Sequence, residues 1–391
     1  MLTATCTYTR DRGWDSPLPS HLDSTETLVL AFGASEFIDD FAPFDALRAA
    51  FPLAHHAGCS TAGEIKGRHV HDASVSVAII RFDHVRLHAA SAALAEPGSS
   101  ASAGRLLAAQ LPPDGLRAVI VLSDGLHANG TALVDGLVSV LPAGVPVFGG
   151  LAGDGSRFQR TWVFEGRDGG EGSDGADRAT LGSRRVRAIG LYGERLAFGI
   201  GCDGGWSDFG PERCVTRSEG NVLFELDHRP ALDLYKEYLG DLASGLPGSA
   251  LLFPLSVRRH AGGQVLVRTV LSVDEAARSM TFAGDVPEGA SARLMRANNE
   301  ALIRSAERAG AQAVAGLAGT PAQLLLSISC VGRRLVLGER SDEEVEAVFD
   351  SAGSAAAHVG FYAYGEIAPL FAGGGSELHN QTMTIAAIGE R

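Results

Sequence analysis

Two segments of this 391-residue chain share the pattern Gly-x4-Gly-Glu-Ile: Gly58-Cys-Ser-Thr-Ala-Gly-Glu-Ile65 and Gly360-Phe-Tyr-Ala-Tyr-Gly-Glu-Ile367. Each puts a carboxylate, Glu64 or Glu366, directly after a glycine, the residue that supplies a turn's positive-φ or close-approach position. A carboxylate there accepts backbone N–H bonds across the turn. Where the turn borders a cleft, the same groups can dock an amino-acid-like ligand. Tyr362 and Tyr364 are two apart, so both rings fall on one strand face, as a core layer or a platform for a planar ligand. The amide of Asn380 completes a candidate small-ligand set of Glu64, Tyr362, Tyr364, Glu366 and Asn380.

Cys59 lies close to His55 and His56, which suggests a thiol nucleophile with its base and hence a Cys-dependent hydrolase. Neighbours on a strand point to opposite faces, so closeness in sequence does not assemble that pair. The chain has no G-x-S-x-G, H-E-x-x-H, P-loop or Rossmann glycine fingerprint, and no enzyme is expected. His56 and His358 each stand two residues before the first glycine of the shared pattern. A place in an ordinary strand explains both.

These residues need a scaffold, and the chain repeats one three times. A strand, a helix and a second strand with its turn occupy 27–32, 41–51 and 53–65. The order recurs at 118–122, 131–140 and 145–154, and at 323–330, a helix opening near Ser341, and 358–367. Each unit ends in glycine followed by an acid: Gly63-Glu64, Gly153-Asp154 and Gly365-Glu366. Ser341 with Glu344 predicts a capping box. Alternating segments predict antiparallel hairpins of 74–82 with 84–90, 186–192 with 196–201, and 250–257 with 264–273. Crossovers feeding antiparallel strands predict an α+β fold of two related domains, mixed sheets with packed helices. A boundary at Ser218-Glu-Gly-Asn221 gives domains 1–220 and 221–391, with Pro230 opening a helix over 231–239. The stretch 165–183, with the glycine-rich run Gly166-Arg-Asp-Gly-Gly-Glu-Gly-Ser-Asp-Gly175, reads as a solvated loop or hairpin tip.

Composition narrows the partners. A formal charge of −13 with no Lys/Arg-rich block disfavours nucleic acid and anionic lipid surfaces. Five cysteines without CxxC spacing fit reduced thiols in a cytoplasm. With no apolar h-region near the N-terminus and no run of eighteen apolar residues, neither secretion nor a membrane span is expected.

The segments Gly58–Ile65, Phe148-Gly-Gly-Leu-Ala-Gly-Asp154 and Leu226-Asp-His-Arg-Pro-Ala-Leu-Asp-Leu-Tyr-Lys-Glu-Tyr-Leu239 resemble the FIST N-terminal domain and the start of its C-terminal partner. Ser329-Cys-Val-Gly-Arg-Arg334, Gly360–Ile367 and His379-Asn-Gln-Thr-Met-Thr384 look like the FIST C-terminal domain. The resemblance covers nearly the whole chain. It implies a bacterial, intracellular ligand-sensing module for signal transduction, working with histidine kinases, chemoreceptors or cyclic-di-GMP enzymes. Free-standing chains of this length are similar to the NosP group of the family, haem-based nitric oxide sensors that regulate a partner histidine kinase in a two-component system. That likeness implies haem b held by one imidazole, with His228 the first candidate for the iron and Arg229 beside it for a propionate. An amino acid or other small metabolite, bound at the set named above, is the alternative ligand.

Overall fold

The computed structural model describes residues 1–96, 98–166, 180–258, 265–353, 356–371 and 373–391. Of the stretch 165–183 expected to be irregular, 167–179 lies outside the described residues, and the expectation is corrected at its ends, where Glu165 and Thr180–Gly182 are paired strand.

Three units follow one plan. The first runs β1 (Leu2–Thr9), β2 (Thr27–Ala34), α1 (Ala42–Ala50), β3 (His55–Thr61), a hairpin of β4 (Glu64–Lys66) and β5 (His69–His71), then β6 (Ser74–Arg81). In the second, β7 (Arg86–Ala93) and an additional helix α2 (Ser100–Gln110) precede β8 (Leu116–Ser123), α3 (Gly130–Val138) and β9 (Val147–Leu151). Its hairpin is β10 (Val163–Glu165) with β11 (Thr180–Gly182), and it closes on β12 (Arg185–Tyr192). The third opens on β13 (Leu196–Asp203) and is interrupted by an inserted sheet containing α4 (Ala231–Leu239). It resumes with α5 (Asn299–Ala315), β14 (Leu324–Cys330), α6 (Val331–Leu337), α7 (Ser341–Ser351), β15 (Ala357–Ala363), the hairpin β16 (Gly365–Pro369) and β17 (Ser376–His379), and β18 (Met383–Glu390).

Strand order is the same in each sheet: β11-β10-β3-β2-β6-β1, β17-β16-β9-β8-β12-β7 and β5-β4-β15-β14-β18-β13. The first also carries the short strand Gly13–Trp14 beyond β1. The pairs β2/β3, β8/β9 and β14/β15 are parallel, as strand–helix–strand crossovers require. None of these three hairpins joins its own unit's sheet. The strand β4 pairs with β15, β10 with β3 and β16 with β9, so every unit lends its hairpin to another and the three lock into a ring.

The central strands β2, β8 and β14 are apolar and almost wholly buried, because helices cover one face and the other sheets cover the opposite one. Leu30, Phe32, Ile120, Phe148, Leu326 and Phe361 meet in the middle, where Phe32 stacks on Phe361 at 4.7 Å. The second parallel strand of each sheet carries a glycine at one register: Gly58 opposite Ala31, Gly149 opposite Val121 and Gly360 opposite Ser327. A Cβ there would lie 2.0, 1.7 and 1.9 Å from the partner's carbonyl oxygen, which leaves room only for hydrogen.

The α+β class and the three strand–helix–strand units are as the sequence predicts. Their kinship runs through three sheets, and the eight-stranded insert, with a core of its own around Val215, Leu232, Tyr235 and Phe282, is a second body. Pro230 caps α4 as expected. Two expected hairpins are corrected: β6 pairs with β1 and β2 while β7 pairs with β12, and β12 and β13 likewise lie in different sheets. Phe82 and Val85, both buried in the central core, carry the chain across from β6 to β7. The capping box is corrected too. Ser341 lies inside α7 and donates to Gly338 O at 2.7 Å, while Glu344 turns inward to Arg333. Among the described residues no helix is long and apolar enough to cross a membrane.

Candidate ligand-binding site

The return strands β6, β12 and β18 are each entered through a left-handed residue: Ala73 (φ 53°), Arg184 (φ 56°) and Gln381 (φ 65°). Such backbone costs about 1–3 kcal/mol and persists only where the surroundings hold it. At each corner a buried carboxylate accepts a backbone N–H: Glu64 from Ser74 at 3.1 Å, Glu366 from Thr382 at 3.1 Å, and Asp124 from Arg184. Glu64 and Glu366 thus accept backbone N–H bonds as expected, but at the corner of a return strand ten and sixteen residues on and not across their own glycine turns.

Glu64 also borders a cleft of about 320 Å³. The cleft lies beyond the carboxyl ends of β2 and β3 and is closed by the loop after β9 and by α6, so all three units contribute to it. The carboxyl end of a parallel strand pair is where α/β sheets generally leave a crevice for ligands. Glu36, Glu64, Asp72 and Asp154 bring carboxylates to the lining, and Arg157 and Arg334 bring guanidiniums. Burial pushes the Glu64 carboxyl up to about 7, against the bonds from Thr61 and Ser74 that favour its charged form. Asp154 is held by the amides of Phe158, Gln159 and Arg160 at 2.8–2.9 Å and by the Tyr364 hydroxyl. Arg157 donates to Asp154 O at 2.7 Å and to Ser35 Oγ at 3.0 Å, and pairs with Glu36. Arg334 grips Asp72 through two bonds of 2.9 and 2.6 Å, donates to Ala62 O, and lies 5.6 Å over the Tyr362 ring.

The expected ligand set is divided by the fold. Glu64 alone lines the cleft, and Tyr362 and Tyr364 stand fully buried behind its wall, hydrogen-bonded to Glu344 at 2.9 Å and to Asp154. Glu366 and Asn380 belong to a separate buried layer facing the insert, where Asn380 accepts from Thr269 N at 3.3 Å and donates to Tyr364 O at 3.2 Å. Burial pushes Glu366 up to about 8. Sequence reasoning missed Glu36, Asp72, Arg157 and Arg334. Only Arg334 left a trace, at the end of the Ser329–Arg334 motif.

The haem residues do not fit their group. His228 is exposed in a left-handed turn (φ 62°) on the insert, its N–H bonded to Thr216 Oγ1 at 2.9 Å, and Arg229 beside it pairs with Glu237. A haem iron ligand needs an apolar wall for the macrocycle, and an exposed turn offers none. His56 packs against Phe164, and His358 bonds Gly67 O and Ser327 Oγ at 2.7 Å; burial lowers both to about 4, as for neutral core histidines. Among the described residues no cluster of three or more His, Cys, Asp or Glu could hold a metal ion. The nucleophile reading of Cys59 is corrected as well. The thiol is 0% exposed in the central core, and burial pushes its pKa well above the ordinary thiol value, so the reactive thiolate is suppressed.

Comparison with known proteins follows the same lines. The FIST N domain model matches residues 27–229 and the FIST C domain model matches residues 231–369. No curated protein matches the chain. A solved structure it is similar to is the cyanuric acid hydrolase from A. caulinodans, at 10% identity over 100% of this chain and 99% of that one, with a TM-score of 0.34. At that score the likeness carries no argument about function. Matched along most of its length by both domain models, the chain belongs to the FIST family, whose domains sense small ligands in signal transduction.

Proposed function

We propose that this protein senses a small metabolite carrying both a carboxylate and an ammonium group, an amino acid or close relative, in the cleft between its three units. The observation that carries the reading is the mixture of charge in one small space. Arg157, paired with Glu36, and Arg334, paired with Asp72, line about 320 Å³ together with Glu64 and Asp154. That volume lies at the lower end for ligand pockets, which suits a metabolite and is too small for a macrocycle. A ligand carboxylate would take Arg334 from Asp72, and its ammonium group would take the freed Asp72. The output passes by contact to a signalling partner, for which a cytoplasmic histidine kinase is the proposal, because binding acts only through a free-energy difference between two conformations.

Calorimetric titration with the amino acids is the test. Heat with at least one of them, lost in Arg334→Ala, is expected; no heat with any would remove the reading. The haem b and nitric oxide alternative draws no support from the turn at His228. Added hemin giving a Soret band that moves with nitric oxide and disappears in His228→Ala would restore it.

A further inference from the structure

Helix α6 has two neighbouring arginines with opposite destinations. Successive residues of a helix project about 100° apart, so one can face outward while the next faces the core. Arg334 faces the cleft and holds Asp72 and Ala62 O. Arg333 is fully buried, paired with the equally buried Glu344 at 2.6 Å, and Glu344 also accepts from Tyr362, the ring beneath Arg334.

The remaining partners of Arg333 sit where the chain leaves and re-enters the three-sheet body. Its guanidinium donates to Gly204 O, just before the inserted sheet, and to Leu302 O at 2.9 Å and Ser305 Oγ at 3.2 Å on α5, just after it. The preceding residue of the helix reaches the same junction by another route. A Cβ at Gly332 would lie 2.3 Å from Gln381 Nε2, so α6 cannot shift without moving that side chain. Gln381 Nε2 donates to Leu251 O at 3.0 Å and Thr269 Oγ1 at 3.1 Å within the insert, and the backbone carbonyl of Gln381 accepts from Trp206 Nε1 at 2.8 Å. Leu251 packs with Val331 and Tyr362 in one apolar cluster.

We propose that α6 couples the cleft to the hinge of the inserted sheet, so that a change at the Arg334–Asp72 ion pair loosens both chain crossings and re-aims the insert. The insert is then the part of the molecule whose outward face reports the state of the cleft. The proposal rests on the reading of the cleft as the ligand site, but its test needs no ligand. A failed amino-acid titration would therefore leave the coupling standing.

Amide hydrogen exchange is measured by mass spectrometry on the full chain, on Arg334→Ala and on Arg157→Ala, which removes the guanidinium of the opposite wall. Arg334→Ala is expected to speed exchange in segments 204–206, 250–252 and 302–305 by at least about fivefold, the lower end of common coupling strengths. Arg157→Ala is expected to leave those segments unchanged. Adding Gln381→Ala to Arg334→Ala should cut the response at 250–252 and keep it at 302–305, because the Arg333 route remains. Exchange changed only within 61–74 in Arg334→Ala, or an equal response in Arg157→Ala, overturns the proposal.

Discussion

Replacing Glu366 by glutamine changes stability in a way that depends on pH. The carboxyl is fully buried and pushed up to about 8 from an ordinary 4.5, so the folded protein binds its proton more tightly than the unfolded chain does. A raised carboxyl contributes stability that is fully present below its unfolded value and lost as pH rises through the folded one. At about 1.36 kcal/mol per pH unit the loss totals about 5 kcal/mol, and roughly 3 kcal/mol of it falls between pH 6 and pH 9. Glutamine stays neutral throughout and keeps an oxygen to accept from Thr382 N and Oγ1, which now bond Oε2 at 3.1 and 2.8 Å. Glu366→Gln should therefore gain roughly 3 kcal/mol on the wild type between pH 6 and pH 9. Urea denaturation of both proteins at the two pH values gives this double difference directly, and all other titrating groups cancel from it. The same difference at both pH values, or a greater penalty for glutamine at pH 9, would refute the claim that the carboxyl is held neutral by burial.

Other expectations follow from packing and exposure. Gly149→Ala would drive a methyl to 1.7 Å from Val121 O, and strain of about 3 kcal/mol or more should show as insoluble expression or a large fall in thermal midpoint. Arg333→Ala strands a buried Glu344 and should cost about 3–5 kcal/mol in urea denaturation, several times the effect of Arg68→Ala, whose partner Asp350 is exposed. Under native conditions a thiol reagent should label Cys214, the exposed cysteine, well before Cys6, Cys59, Cys202 and Cys330, which mass spectrometry of the digested protein would show.

What the sequence discloses is local, and what it hides is pairing. The apolar run of β2, the helix after Pro230 and the positive-φ turn at Gly63 carry their signals within a few residues, and each is where those signals put it. Strands β6 and β7 carry equally good signals and a short turn between them, yet they belong to different sheets. Alternation names a strand but not its neighbour. Glu344 shows the same limit, since three residues after a serine it looks like a capping partner until a buried arginine from another helix claims it. Asp72, Arg157 and Arg334 had little chance of being grouped, because surface arginines and aspartates are common and these come from three different units.

The exchange of hairpins is the reason those units meet at the cleft. Because β4 is lent to β15 and β10 to β3, the turns at Gly63 and Asp154 are drawn toward one another and toward α6. A ligand held by Arg157, Glu64 and Arg334 would thus bridge the second, first and third units at once, and none of these groups is in place when the ring opens. Its binding energy then belongs to the closed ring alone, adding about 2.7 kcal/mol to the unfolding free energy at a hundredfold excess over Kd. An amino acid that bound with measurable heat yet left the thermal midpoint unmoved at that excess would be bound somewhere other than between the units.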